Sequence, residues 1–76
     1  MNKERRKKIE DVTGKIRDLL TELEMCKDEE EDYKDNMPEN LQGSERYERA
    51  EECVYNLEQA IEEIETALEE IDEVIE

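Results

Sequence analysis

Between Ser44 and Glu76, apolar residues recur at Tyr47, Ala50, Val54, Leu57, Ile61, Ile64, Leu68, Ile71 and Ile75. The steps alternate strictly between three and four residues, which is the heptad seam of a helix lying along a partner. A strand cannot use this pattern, because its side chains change face at every residue. A second row, Cys53, Ala60, Ala67 and Val74, returns every seven residues beside the seam. Small side chains there allow another helix to approach closely. Most of what lies between is glutamate, which marks the remaining faces as solvated.

The first half of the chain carries the same period. Ile9, Val12, Ile16, Leu19, Leu23, Cys26, Glu30 and Tyr33 step by three and four, with Glu30 the single polar interruption. This spacing predicts a helix over about 3–34. Leu20 sits beside the seam and widens it. Gly14 falls on the outer face, where it costs about 1 kcal/mol relative to alanine and leaves no hole. Residues 35–43, Asp-Asn-Met-Pro-Glu-Asn-Leu-Gln-Gly, read as a connector. Pro38 pushes Met37 away from helical backbone, so the first helix should end by Asn36. Met37 and Leu41 are expected to fold back over the end of the core. Ser44 is the expected N-cap of a second helix over about 44–76, with Glu45 facing its positive end. Tyr47 stands where a capping box requires Glu or Gln, so the cap is a simple one.

Two helices and a short connector predict an all-α, antiparallel, coiled-coil-like hairpin forming one domain over residues 1–76. Charged residues make up 49% of the chain, near the composition of disordered proteins, but the sustained apolar period argues for folding. If Tyr33 faces Tyr47, the seams match layer by layer. Cys26 then meets Val54, Leu23 meets Leu57, Leu19 meets Ile61, Ile16 meets Ile64, Val12 meets Leu68 and Ile9 meets Ile71. Glu30 falls on Ala50, near the loop. Residues 1–17 carry net +4 and residues 18–76 net −19, which together give the −15 of the chain. The hairpin therefore lays the basic opening beside the acidic stretch 62–76, with Arg6 expected against Asp72 and Lys27 against Glu51. Exposed pairs contribute only about 0–1 kcal/mol each, so they select orientation more than they stabilise.

A lone hairpin of this size covers one side of each helix and leaves much of its surface wet. Cys53, Ala60, Ala67 and Val74, with Leu20, are the expected self-association residues. The simplest assembly they support is a two-fold homodimer forming a four-helix bundle.

The chemistry is limited by what is missing. No His occurs, which removes the commonest general base and metal ligand. Glu30 is the one carboxylate directed inward, whereas a di-metal bundle site needs several Glu and His in the core. A non-enzymatic protein is therefore expected, with no catalytic residue, cofactor or metal site. The run Asp28-Glu29-Glu30-Glu31-Asp32 lacks the glycine and ligand spacing of a calcium loop and lies on a helix, so it reads as a solvated face. The opening Lys3-Glu4-Arg5-Arg6-Lys7-Lys8 has no interleaved aromatics, and the acidic chain around it repels phosphate, so direct nucleic-acid binding is not expected. No apolar run is long enough to cross a bilayer, and the basic start is not followed by the apolar core of a signal peptide. The expected compartment is the cytoplasm, where Cys26 and Cys53 stay reduced and act as small apolar fillers.

Two partner surfaces remain. Tyr55 falls one place past the seam and is the expected exposed aromatic. With Asp28, Glu29, Glu31 and Asp32 it forms a candidate contact surface for a basic protein. A carboxylate-dense rod can also occupy a basic groove in place of nucleic acid, so the second reading is an inhibitor of a nucleic-acid-binding protein.

The stretch Asp32-Tyr33-Lys34-Asp35-Asn36-Met37-Pro38-Glu39-Asn40-Leu41-Gln42-Gly43-Ser44-Glu45-Arg46-Tyr47-Glu48 resembles the connector of a group of small acidic helical-hairpin proteins from gut bacteria and their phages and mobile elements. The basic start and the Ala/Leu/Ile/Glu-rich second helix are similar to that group as well. The resemblance implies a helical hairpin of phage or mobile-element origin. It carries no catalytic or binding residue across.

Overall fold

The computed structural model describes all residues, Met1–Glu76. Helix α1 spans Lys3–Asp35, a single 3₁₀ turn spans Glu39–Leu41, and helix α2 spans Glu45–Ile75. The two long helices pack against each other in a rod of 60 × 15 × 13 Å.

Helix ends follow local chemistry. Asn2 caps α1, its side-chain oxygen accepting from the Arg5 amide at 2.8 Å, a cap the apolar periodicity does not announce. At the other end the Asn36 amide donates to the Asp32 carbonyl at 2.9 Å, and Pro38 stops the helix two residues later. Ser44 caps α2 as expected. Its backbone is extended and its hydroxyl oxygen accepts from the Tyr47 amide at 3.3 Å, while the hydroxyl itself donates to the Leu41 carbonyl. Of the two connector residues expected to cover the core, Met37 is buried, whereas Leu41 remains largely exposed on the 3₁₀ turn.

The seam of α2 packs as its sequence dictates. Ala50, Val54, Ile61 and Leu68 are buried, and Tyr47, Leu57, Ile64, Ile71 and Ile75 are partly buried. Helix α1 is different. Ile9, Ile16, Leu23 and Glu30 turn inward, but the other half of its seam is Thr13, Leu20, Lys27 and Lys34 rather than Val12, Leu19, Cys26 and Tyr33. Leu20 is 8% exposed and Leu19 62%. The layers expected to join Leu19 to Ile61, Val12 to Leu68, Cys26 to Val54 and Tyr33 to Tyr47 are thus replaced, and α1 is rotated by one column about its own axis.

Four side chains make this rotation tolerable. Leu20 wedges between Ile61 and Leu68 to form the core, with Ile16, Leu23, Ile64 and Ile71 packed around it. The Thr13 hydroxyl donates to the Ile9 carbonyl at 2.7 Å, so a buried polar group is satisfied by its own helix. The Lys27 and Lys34 side chains lie mostly covered while their ammonium groups reach Asp28, Glu31 and Asp35. Lysine stems cover apolar surface as methylenes do and keep the charge in water.

The charge pairing shifts with the rotation. Arg17, not Arg6, pairs with Asp72 across the helices. Lys27 is held by Asp28 at 2.9 Å and Glu31 at 3.3 Å on its own helix rather than by Glu51. No helix is long and apolar enough to cross a membrane.

Candidate interaction face

Rotating α1 leaves a complete apolar column without a partner inside the hairpin. Val12 is 52% exposed and Tyr33 47%, and Leu19 and Cys26 lie open between them. On α2 the row Cys53, Ala60, Ala67 and Val74 is exposed apart from Ala60, which is partly covered; Val74 is 57% exposed.

The two columns share one side of the rod. At the open end, Val12 and Val74 line a single groove with Ile9, Ile16 and Ile71 at its floor and Arg5 and Lys8 at its rim. At the loop end, Tyr33 and Cys53 line another, with Glu30, Arg46 and Ala50. Side chains seven residues apart stay on one stripe of a supercoiled helix, so Leu19 and Cys26 continue the face between these ends. The result is an apolar strip running along α1 beside a small-residue strip along α2.

The opposite side is carboxylate-rich. Glu24, Glu58, Glu62 and Glu65 border a shallow groove there, with Lys27 and Ile61 at its base. Lys27 is held protonated above its ordinary value, first by its hydrogen bond to Asp28 and then by Glu31, with desolvation pulling the other way. The hairpin is therefore two-sided, greasy on one side and anionic on the other.

Each residue singled out from the sequence has a definite place. Cys53, Ala60, Ala67 and Val74 lie together on the apolar side. Leu20, expected with them, is instead in the hairpin core, because only one of the adjacent leucines can face α2 and the rotation of α1 selects it. Its position on the open face is taken by Leu19, which the heptad count had assigned inward. Tyr55 is exposed, as are Asp28, Glu29 and Asp32, while Glu31 is partly covered and engaged with Lys27. Cys26 and Cys53 are both free thiols on the surface. No known protein family matches this chain, and no characterised protein or solved structure is detectably similar to it.

Proposed function

We propose that this protein is a non-catalytic helical interaction module that self-associates through its apolar side, two hairpins making a four-helix bundle. The observation that carries the reading is the unbroken exposed strip Val12, Leu19, Cys26 and Tyr33 beside Cys53, Ala60, Ala67 and Val74. Scattered surface apolar residues need no explanation, but two such strips side by side along about half the length of the rod mark an interaction site. Its position matches what a bundle requires, since a helix with two neighbours needs a third apolar column beside its two-column seam. A bacterial or phage cytoplasm is the setting in which we place it. Sedimentation equilibrium tests the reading: a dimer that persists at high salt supports it, and a folded monomer at high micromolar concentration overturns it.

The second reading, a nucleic-acid mimic, draws on the opposite side. Glu24 of α1 and Glu58, Glu62 and Glu65 of α2 gather carboxylates around one groove of the rod. An inhibitor of this kind would bind a basic protein in a complex that weakens steeply with salt. Affinity capture at low and high salt separates the two readings.

A further inference from the structure

We propose that the second copy binds turned end for end, about a two-fold axis that crosses the apolar side at Leu19. The inference rests on the self-association proposed above and adds its symmetry and register.

The exposed column of α1 is self-complementary about its centre. Val12 and Cys26 are each seven residues from Leu19, and Arg5 and Tyr33 each fourteen. Reversed end for end, Leu19 meets the partner's Leu19, Val12 meets the partner's Cys26, and Arg5 meets the partner's Tyr33, where the guanidinium can stack on the ring. The row on α2 has the same property. Ala60 and Ala67 flank its midpoint, with Cys53 and Val74 at equal distance beyond. Leu20 wedged between Ile61 and Leu68 sets the middle of α1 level with residues 64–65 of α2. The two centres therefore stand at nearly the same height, and one axis serves both strips.

Charge selects this arrangement. Lys8, Lys15, Glu22 and Glu29 each precede a residue of the α1 strip by four and flank it on the side away from α2. Reversal places Lys8 beside the partner's Glu29 and Lys15 beside the partner's Glu22, each contact occurring twice. The competing two-fold runs along the rod and gathers both loops at one end. Residues 18–61 carry net −11, while residues 1–17 with 62–76 carry net −4. The competing dimer presses two ends of −11 together, and the end-for-end dimer spreads them apart. Each strip spans about 30 Å of helix, so across a rod 15 Å wide the strips cover about 500 Å² per partner, and the flanking Arg5–Tyr33 and Lys–Glu contacts extend this toward the roughly 800 Å² of a stable interface.

Leu19→Cys in a Cys26→Ser/Cys53→Ser background, oxidised in a glutathione buffer under native conditions, reads the axis directly. A disulfide needs Cα atoms within about 7 Å, which only the end-for-end dimer gives at position 19. The expected product is a covalent dimer. Sedimentation of the unsubstituted protein under reducing conditions separates the two levels of the argument: a monomer there overturns self-association itself, and a Leu19→Cys protein that is dimeric by sedimentation yet does not cross-link overturns only the axis. As a second measurement, Lys8→Glu/Lys15→Glu should weaken the dimer about tenfold or more, and adding Glu22→Lys/Glu29→Lys should restore it. Failure of the fourfold swap to restore affinity overturns the register.

Discussion

Leu19 and Leu20 are adjacent in the chain and face different environments: Leu20 is packed between Ile61 and Leu68, and Leu19 lies open on the apolar side. Truncating each should therefore fail in a different way. Leu20→Ala removes buried methyl groups and leaves a gap, costing about 2–4 kcal/mol of hairpin stability at any protein concentration. Leu19→Ala should leave the hairpin's helicity intact and act on association, so its cost in urea is negligible where both proteins are monomeric and grows as concentration rises into the range where the parent protein dimerises. Urea unfolding followed by circular dichroism over a hundredfold range of concentration distinguishes them.

Arg17 and Asp72 form the one close ion pair between the helices, and each side chain is half exposed. Solvent screening limits such a pair. A double-mutant cycle with Arg17→Ala and Asp72→Ala should give a coupling of about 0.2–1 kcal/mol that vanishes in molar salt. A salt-insensitive coupling would contradict this description of the pair.

Lys27 carries a folded-state pKa raised above its ordinary value near 10.5. A raised value means that the protonated form is favoured in the folded state. That contribution is fully present below the unfolded pKa and is lost as pH rises through the folded one. Lys27→Met keeps the covering stem and removes the titration. Melting temperatures of the two proteins should differ by a constant amount from pH 7 to about 10, then shift in favour of the variant above that. A difference that stays flat through pH 11 would remove the linkage.

Gly14 is exposed on α1, and a Cβ added there would meet nothing within 4 Å. Gly14→Ala should stabilise the protein by about 0.5–1 kcal/mol through helix propensity alone. Ser44→Ala should cost about 1 kcal/mol by removing the acceptor for the Tyr47 amide, and Ser44→Asp should recover most of it. Thermal unfolding at fixed concentration measures both.

How far these features could be read in advance depended on the helix. On α2 every seam residue from Tyr47 to Ile75 is at least partly buried, because apolar and glutamate positions there alternate without ambiguity. Pro38 and Ser44 placed the break and the restart by backbone chemistry that acts locally. On α1 the count of apolar residues pointed to Val12, Leu19, Cys26 and Tyr33 as core, and the helix buries Thr13, Leu20, Lys27 and Lys34 instead. Side-chain polarity was a poor guide there: threonine can satisfy its hydroxyl on its own helix, and lysine can cover with its stem.

Local sequence alone therefore determined that two helices form and that they fold back on each other, since these follow from residue spacing and from the restrictions of proline and the cap. Which column of α1 meets α2, and hence which is left bare for another molecule, was decided only in the packed hairpin. Three adjacent columns on α1 can all cover apolar surface, and the choice among them rests on which leucine fits between Ile61 and Leu68, a question of shape that no single chain segment contains.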